Sequence, residues 1–211
     1  MLETKDLILD RGRPSDWKDM YENVWSRPEC SEYMFWELCG SEDEAKERML
    51  RTVRLQEGNA SDPRSARREG FTIYEKKSGK AIGFYNIEQR GPGVWGGMGL
   101  CIGADYLRRG YGTKALAAVL GYCRERLGAR SFVYTACSGN EASIGLAKKL
   151  GFSLIGSEEV SDWRNGEPRT LLLFGKDLTD GGTRINADRE VCKPDAEGRG
   201  SNGPETKPPD G

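Results

Sequence analysis

Three strand patterns joined by two glycine-containing turns, and followed by one long helix pattern, constrain the fold of this chain most. The strands are predicted over residues 71–75, 81–88 and 94–102. The helix is predicted over residues 110–127, where apolar residues recur at helical spacing, and Gly128 ends it. The short turns predict an antiparallel meander, which conflicts with the parallel strand–helix–strand order of a dinucleotide-binding domain.

Elements on both sides of this run complete an α+β domain of about seven strands and four helices. Further strands are predicted at residues 7–11, 131–137, 152–160 and 170–174, and further helices from Pro14, from Ser41 and over 140–150. The helix after Ser41 begins with a capping box, because Glu44 follows the serine by three residues.

Two segments are predicted to lie outside the packed domain. Residues 59–70 combine Pro63 with many charged side chains, which predicts a mobile loop. Residues 179–211 contain six glycines, four prolines, twelve charged residues and no aromatic residue, which is too little apolar surface to offset the entropy of ordering. We therefore expect one domain at residues 1–178 and a disordered tail at 179–211.

The composition excludes several classes of function. The 32 basic and 33 acidic residues give a net charge of -1, so no overall field attracts the chain to nucleic acid or to an anionic membrane. The absence of histidine excludes Ser-His-Asp and Cys-His triads and HExxH zinc sites. The six cysteines form no CxxC pair and are expected to be reduced and mostly buried. We expect a cytoplasmic protein without a metal, either monomeric or a homodimer.

The loop between the third meander strand and the long helix is the best candidate for a binding site. Gly110 and Gly112 follow Arg108 and Arg109 at the start of the helix, and a helix start with glycines suits an anion such as phosphate. A Walker A motif is not present. The dinucleotide pattern Gly-x-Gly-x-x-Ala fits, but no acidic residue follows in the next strand, residues 131–135.

The run Leu107-Arg-Arg-Gly-Tyr-Gly112 resembles the phosphate loop of the GNAT acetyltransferases, although Leu107 replaces the usual Gln or Arg. The resemblance covers residues 5–178. Asn140 and Ser143, followed by Gly151-Phe152, resemble the signature of the Rim-type branch, the protein N-terminal alanine acetyltransferases. The segments 34–37 and 163–166 also resemble parts of that branch. The family fold is a mixed, mostly antiparallel twisted sheet with acyl-CoA bound at a splay beside the strand at 94–102.

The resemblance implies acetyl-CoA as cosubstrate and assigns roles to individual residues. Ser143 is the expected general acid, because Ala147 stands where many family members have a tyrosine. The strand glutamate of the Rim branch aligns with Gly97 or its neighbours, so Glu88 is the expected base, directly or through water, and Glu37 is the alternative. Trp36, Glu37 and Trp163 are expected to contact the acceptor. The cofactor-binding residues are expected to be Leu100, Cys101, Ile102, Arg108, Arg109, Gly110, Tyr111, Gly112, Thr113, Asn140 and Ser143.

The missing strand carboxylate favours an acceptor amine with a low pKa. At pH 7 an α-amino group is roughly 10% neutral, whereas a lysine amine is nearer 0.1% neutral. We therefore expect an acetyl-CoA-dependent N-acetyltransferase that acts on the α-amine of a protein or peptide N-terminus. The alternatives are a small amine, such as a polyamine, an amino acid or an antibiotic, and a non-catalytic CoA-binding module.

Overall fold

The computed structural model describes residues 1–57, 67–161 and 166–179, without the side chain of Met98. The strands are β1 (Leu2–Glu3), β2 (Leu7–Asp10), β3 (Arg68–Glu75), β4 (Ala81–Gly91), β5 (Val94–Ile102), β6 (Ser131–Cys137), β7 (Ser153–Val160) and β8 (Arg169–Asp177). The helices are α1 (Trp17–Met20), which continues as a π-helical turn (Tyr21–Trp25), α2 (Pro28–Ser31), α3 (Glu42–Glu57), α4 (Tyr111–Arg126) and α5 (Glu141–Lys149).

The strands form one sheet in the order β1-β2-β3-β4-β5-β6-β8-β7. Every neighbouring pair is antiparallel except β5 and β6, which are parallel. The mixed, mostly antiparallel α+β architecture predicted from the sequence is therefore confirmed. The sequence did not predict β1 or α2, because two and four residues are too short to show a period.

The end of the predicted loop at 59–70 is wrong, since β3 begins at Arg68 and its first residues pair with β4. Polar residues at this end of the strand are exposed or half-buried, so they lack the alternation of a buried strand. Most of that loop and nearly all of the predicted tail at 179–211 lie outside the described residues. No helix in the described ranges is long and apolar enough to span a membrane.

Apolar side chains pack on both faces of the sheet. On one face, α4 buries Leu116, Val119 and Cys123 against the strands. On the other face, α3 buries Ala45 and Met49 among residues of the N-terminal helices. Full burial of such aliphatic side chains contributes about 1.5–3 kcal/mol each. The five described cysteines are free and buried, as predicted.

The ends of α3 and α4 follow local sequence signals. The backbone N–H of Glu44 donates to Ser41 Oγ (3.2 Å), so Ser41 caps α3. The Glu44 carboxylate accepts from the backbone N–H of Gly40 (2.7 Å) rather than from the serine, which makes a variant of the predicted capping box. Gly110 is the N-cap of α4 and has φ of +75°, a conformation that glycine adopts without strain.

The two halves of the sheet separate after a short parallel ladder. β5 and β6 pair from Val94 with Ser131 to Gly96 with Val133, and their remaining residues are not paired with each other. A bulge in β5 lies beyond this point: its register against β4 shifts by one residue, and Gly99 has φ of +108°. The sheet therefore opens into a splay beside the second half of β5.

Candidate active site

The splay opens into a cavity of about 900 Å³. The far ends of β5 and β6, the start of α4, the exposed face of α5 and the segment after α2 line it. The cavity brings together most of the residues predicted from the sequence: Trp36, Glu88, Leu100, Cys101, Ile102, Arg108, Gly110, Tyr111, Gly112, Thr113, Asn140 and Ser143.

The start of α4 offers a binding place for an anion at one side of this cavity. The first N–H groups of a helix have no partner within the helix, and the helix dipole is positive there. The first turn of α4 contains no acidic residue. A Cβ at Gly112 would lie 3.7 Å from Leu146 Cδ2 and 4.0 Å from Leu100 Cδ2, so the missing side chain leaves space between β5 and α5. These features fit a phosphate group that approaches the backbone closely.

The buried carboxylate of Glu75 holds the start of α4 in place through hydrogen bonds. Glu75, at the end of β3, accepts hydrogen bonds from Tyr111 Oη (2.7 Å) and Ser78 Oγ (2.8 Å). The hydrogen bond from Tyr111 lowers the pKa of Glu75. The loop needs this support because Arg108 has φ of +62°, the single positive value among described residues other than glycine.

The side chain of Arg109 does not line the cavity, and a cofactor-binding role for this residue stays a prediction. Its guanidinium donates to Glu75 Oε1 (3.3 Å) and to the carbonyl oxygen of Asp105 (2.9 Å), and it stacks over the ring of Tyr106. The buried carboxylate attracts it away from the cavity, which Arg109 does not line. Arg108 is the loop arginine that lines the cavity.

Two hydroxyl groups meet on the opposite side of the splay. Ser143 Oγ lies 2.8 Å from Tyr134 Oη, and both side chains line the cavity. The backbone N–H of Ser143 donates to Asn140 Oδ1 (3.0 Å), so Asn140 caps α5 and holds the serine in its first turn. Burial raises the pKa of Tyr134, which keeps its proton on the oxygen. Ala147 is completely buried and supplies no hydroxyl.

Glu88 lies on β4 directly opposite Gly96 of β5. Cross-strand partners present their side chains on the same face, so the carboxylate stands next to the position where β5 has none. It is 3.6 Å from Arg68 Nε and 3.8 Å from Arg90 Nε.

The thiol of Cys101 is not activated as a nucleophile. Its sulfur is buried and hydrogen-bonds to the carbonyl oxygen of Cys30 (3.8 Å). The hydrogen bond with the Cys30 thiol, together with burial, raises the pKa of Cys101. A thiol in this state is a poor nucleophile.

The residues predicted to contact the acceptor amine differ in whether they line the cavity. Trp36 lines the cavity and packs edge-on against Phe84 (6.3 Å between ring centroids). Its neighbour Glu37 is exposed and does not line the cavity, so its contact with the acceptor stays a prediction. The Glu37 carbonyl oxygen accepts from Arg48 (2.7 Å). Trp163 lies outside the described residues.

Sequence reasoning missed four residues at this site: Glu75, Arg90, Tyr134 and Lys149. Lys149, in the last turn of α5, lines the cavity and adds a cation to it. Tyr134 lies within a predicted strand, and Arg90 lies two residues beyond the predicted end of another. A strand pattern does not show which loop or helix a side chain meets. Among the described residues no His, Cys, Asp or Glu side chains are grouped as a metal site requires.

Comparison with known protein families gives a match that includes both the glycine loop and the splay. Residues 6–153 match the family described as acetyltransferase (GNAT) domain. The chain belongs to the GNAT acetyltransferases. The match extends from the start of β2 through α5 to the first residue of β7, and it includes both sides of the splay. The chain is therefore an N-acetyltransferase by family, as the resemblance of its loop predicted. A search of curated proteins finds no match to this chain.

Solved structures of GNAT acetyltransferases share the fold at low sequence identity. A GNAT-family acetyltransferase from Bacillus anthracis has a TM-score of 0.70 and 14% identity, over 84% of this chain and 98% of that one. An acetyltransferase from Salmonella typhimurium that modifies the N-terminal serine of the 50S ribosomal subunit protein L7/L12 has a TM-score of 0.68 and 15% identity, over 83% and 97%. RimL, a ribosomal L7/L12 α-N-protein acetyltransferase in complex with coenzyme A, has a TM-score of 0.68 and 16% identity, over 82% of this chain and 95% of that one.

Proposed function

We propose that this GNAT enzyme transfers an acetyl group from acetyl-CoA to the α-amine of a protein or peptide N-terminus. The observation that carries the proposal is the arrangement of one cavity, which has an anion-binding helix start on one side and a pair of hydroxyls on the other. The helix start would bind the phosphates of the cosubstrate. The hydroxyl pair would supply the proton that the leaving thiolate needs.

The backbone of residues 110–113 would hold the pyrophosphate, with Arg108 and Lys149 as the nearby cations that line the cavity. The unpaired edge of β5, at Leu100 and Ile102, would pair with the pantetheine arm. When bound, acetyl-CoA supplies the thioester carbonyl carbon that the amine attacks. The backbone N–H groups after the bulge would stabilise the charge that develops on the carbonyl oxygen.

Glu88 would take the proton of the acceptor ammonium, directly or through water. The nitrogen lone pair then bonds to the carbonyl carbon, and the carbon–sulfur bond breaks as the amide forms. Ser143 would pass a proton to the departing thiolate, so that coenzyme A leaves as its thiol. The second proton that the nitrogen loses would return to the serine oxygen and restore its hydroxyl, and the first proton would leave Glu88 to solvent. Either hydroxyl can donate in the hydrogen bond between Tyr134 and Ser143; when Tyr134 donates, the serine hydroxyl hydrogen is free to point at the cavity.

The α-amine is the preferred acceptor because β5 carries no carboxylate beside the splay, where it has Gly96 and Gly97. An α-amino group needs less help than a lysine amine to reach its neutral form. The structural neighbours that modify the N-terminus of L7/L12 support the same acceptor class. The aromatic side of the cavity, with Trp36 and Phe84, suits the first residues of a peptide.

The test compares two lysine-containing peptides, one blocked at its α-amine and one blocked at the ε-amine. We expect the peptide with the free α-amine to be acetylated at least about tenfold faster, from the difference in neutral fraction. Mass spectrometry locates the acetyl group, and the variant Ser143→Ala serves as the control for enzymatic transfer. Faster acetylation of the ε-amine would contradict the proposal.

A further inference from the structure

Arg90 reaches across the base of the splay. Its side chain on β4 is 7% exposed. Its Nη2 donates to the carbonyl oxygen of Gly97 on β5 (3.3 Å) and to Thr135 Oγ1 on β6 (3.4 Å). The ladder between β5 and β6 ends at Gly96, so this guanidinium connects the two strands where their backbone pairing stops. Arg90 and Thr135 also line the cavity.

A glycine on the neighbouring strand makes room for this guanidinium. A Cβ at Gly96 would lie 2.2 Å from Arg90 Nε and 2.7 Å from Arg90 Cδ. Real side chains do not approach so closely, so any other residue at position 96 would displace Arg90. β5 thus has no side chain at Gly96, where the buried guanidinium of Arg90 from β4 packs.

The charge of Arg90 is incompletely matched within the protein. Both of its hydrogen bonds are long and go to neutral oxygens, and its Nε has no hydrogen-bond partner among the described residues. Glu88 is the one described carboxylate within 4 Å, at 3.8 Å, and it is shared with Arg68. The charges of Glu88 and of Glu158 on β7 favour the charged guanidinium, but burial is the larger effect and lowers the pKa of Arg90. A buried cation with these partners is costly unless a ligand completes its shell.

We propose that Arg90 forms a carboxylate-binding subsite and that the preferred acceptors carry a carboxylate close to the amine that is acetylated. A guanidinium presents parallel N–H donors that match a carboxylate in geometry and charge. In a peptide, this group is an acidic side chain at the first or second residue. In a free amino acid, it is the α-carboxylate. The inference rests on the proposed function above, because it assumes an amine acceptor in this cavity.

Isosteric acceptor pairs test the subsite. The full chain is assayed with Asp-Ala-Ala against Asn-Ala-Ala and with Ala-Asp-Ala against Ala-Asn-Ala, each with saturating acetyl-CoA. We expect kcat/KM for the acidic member of at least one pair to exceed that of its amide by about 10- to 100-fold, as for a charge-assisted pair. Arg90→Met is expected to abolish this preference, so that both members of each pair have equal kcat/KM values in this variant.

Two further variants separate the subsite from other effects. Arg54→Met removes the same charge from an exposed position of α3 that does not line the cavity and should keep the preference. Arg90→Gln keeps a polar side chain without the charge and should lose the preference, which also covers the case that Arg90→Met does not fold. Equal rates for both members of each pair in the wild type would overturn the proposal. An equal loss of the preference in Arg54→Met and the Arg90 variants would also overturn it, because it would indicate a general effect of positive charge.

Free alanine and alaninamide distinguish this proposal from the proposed function. If no peptide is acetylated, but alanine is preferred to alaninamide and Arg90→Met removes that preference, the peptide acceptor is wrong and the carboxylate subsite stands. If peptides are acetylated at the α-amine without any preference for a carboxylate, the proposed function stands and the subsite is wrong.

Discussion

Replacement of Gly112 by alanine should separate the stability of the helix from binding of acetyl-CoA. Gly112 is the second residue of α4. A Cβ there would make ordinary van der Waals contacts, 3.7 Å to Leu146 and 4.0 Å to Leu100. Alanine therefore fits the free protein, and the helix gains about 0.5–1 kcal/mol because glycine has poor helix propensity. For a chain of this size, the melting temperature should rise by about 1–4 °C.

The same methyl group lies in the space that the cosubstrate is proposed to occupy, next to the first N–H groups of α4. Loss of one charge-assisted hydrogen bond to a phosphate costs about 1.5–3 kcal/mol, so the Kd for acetyl-CoA should rise about 10- to 100-fold. Calorimetric titration with acetyl-CoA measures the Kd, and thermal unfolding without ligand measures stability.

Gly121→Ala is the matched control, because Gly121 lies in the same helix and nothing is within 4 Å of its Cβ position. It should raise the melting temperature similarly and leave the Kd unchanged. If Gly112→Ala binds acetyl-CoA as tightly as Gly121→Ala, the assignment of the α4 start to the phosphates is refuted.

Two further predictions concern the supports of the site. Glu75→Gln should raise the KM for acetyl-CoA about tenfold, by the loss of about 1.4 kcal/mol of loop positioning, and leave the KM for the peptide unchanged. Because the pKa of Glu75 is lowered in the folded state, its stabilising contribution is present above the unfolded pKa of about 4.3 and is lost as pH falls through the lowered value. The melting temperatures of wild type and Glu75→Gln should therefore differ at pH 7 and converge as the pH falls below the lowered pKa of Glu75; a constant difference would contradict the charged role of Glu75. Ser143→Ala should lower kcat about 10²-fold or more with an unchanged Kd for acetyl-CoA, and Tyr134→Phe in that background should cause no further loss. An unchanged kcat in Ser143→Ala would exclude the serine as general acid.

The sequence predicted those parts of the fold that depend on neighbours along the chain. The meander and α4 follow from the spacing of apolar residues and from glycines such as Gly128, and the start of α3 follows from Ser41. These signals act within a few residues, so they are visible before the chain is folded.

The contacts that shape the site are non-local and were not predicted. The bond between Tyr111 and Glu75 spans 36 residues, and the contact between Arg90 and Thr135 spans 45. Both depend on strand register and on which face of the sheet a side chain occupies. For the same reason the sequence indicated a phosphate-binding role for Arg109, whereas the structure turns it toward a carboxylate that another strand supplies.

Thermal unfolding with and without acetyl-CoA tests most directly whether this cavity is an acyl-CoA site. At an acetyl-CoA concentration of about 100 times the Kd, binding to the folded state alone contributes about 2.7 kcal/mol. The melting temperature should then rise by about 5–10 °C for a chain of this size, and the rise should be much smaller in Gly112→Ala at the same concentration. No shift of the wild type at millimolar acetyl-CoA would contradict the account, because the start of α4 would then be an ordinary helix end.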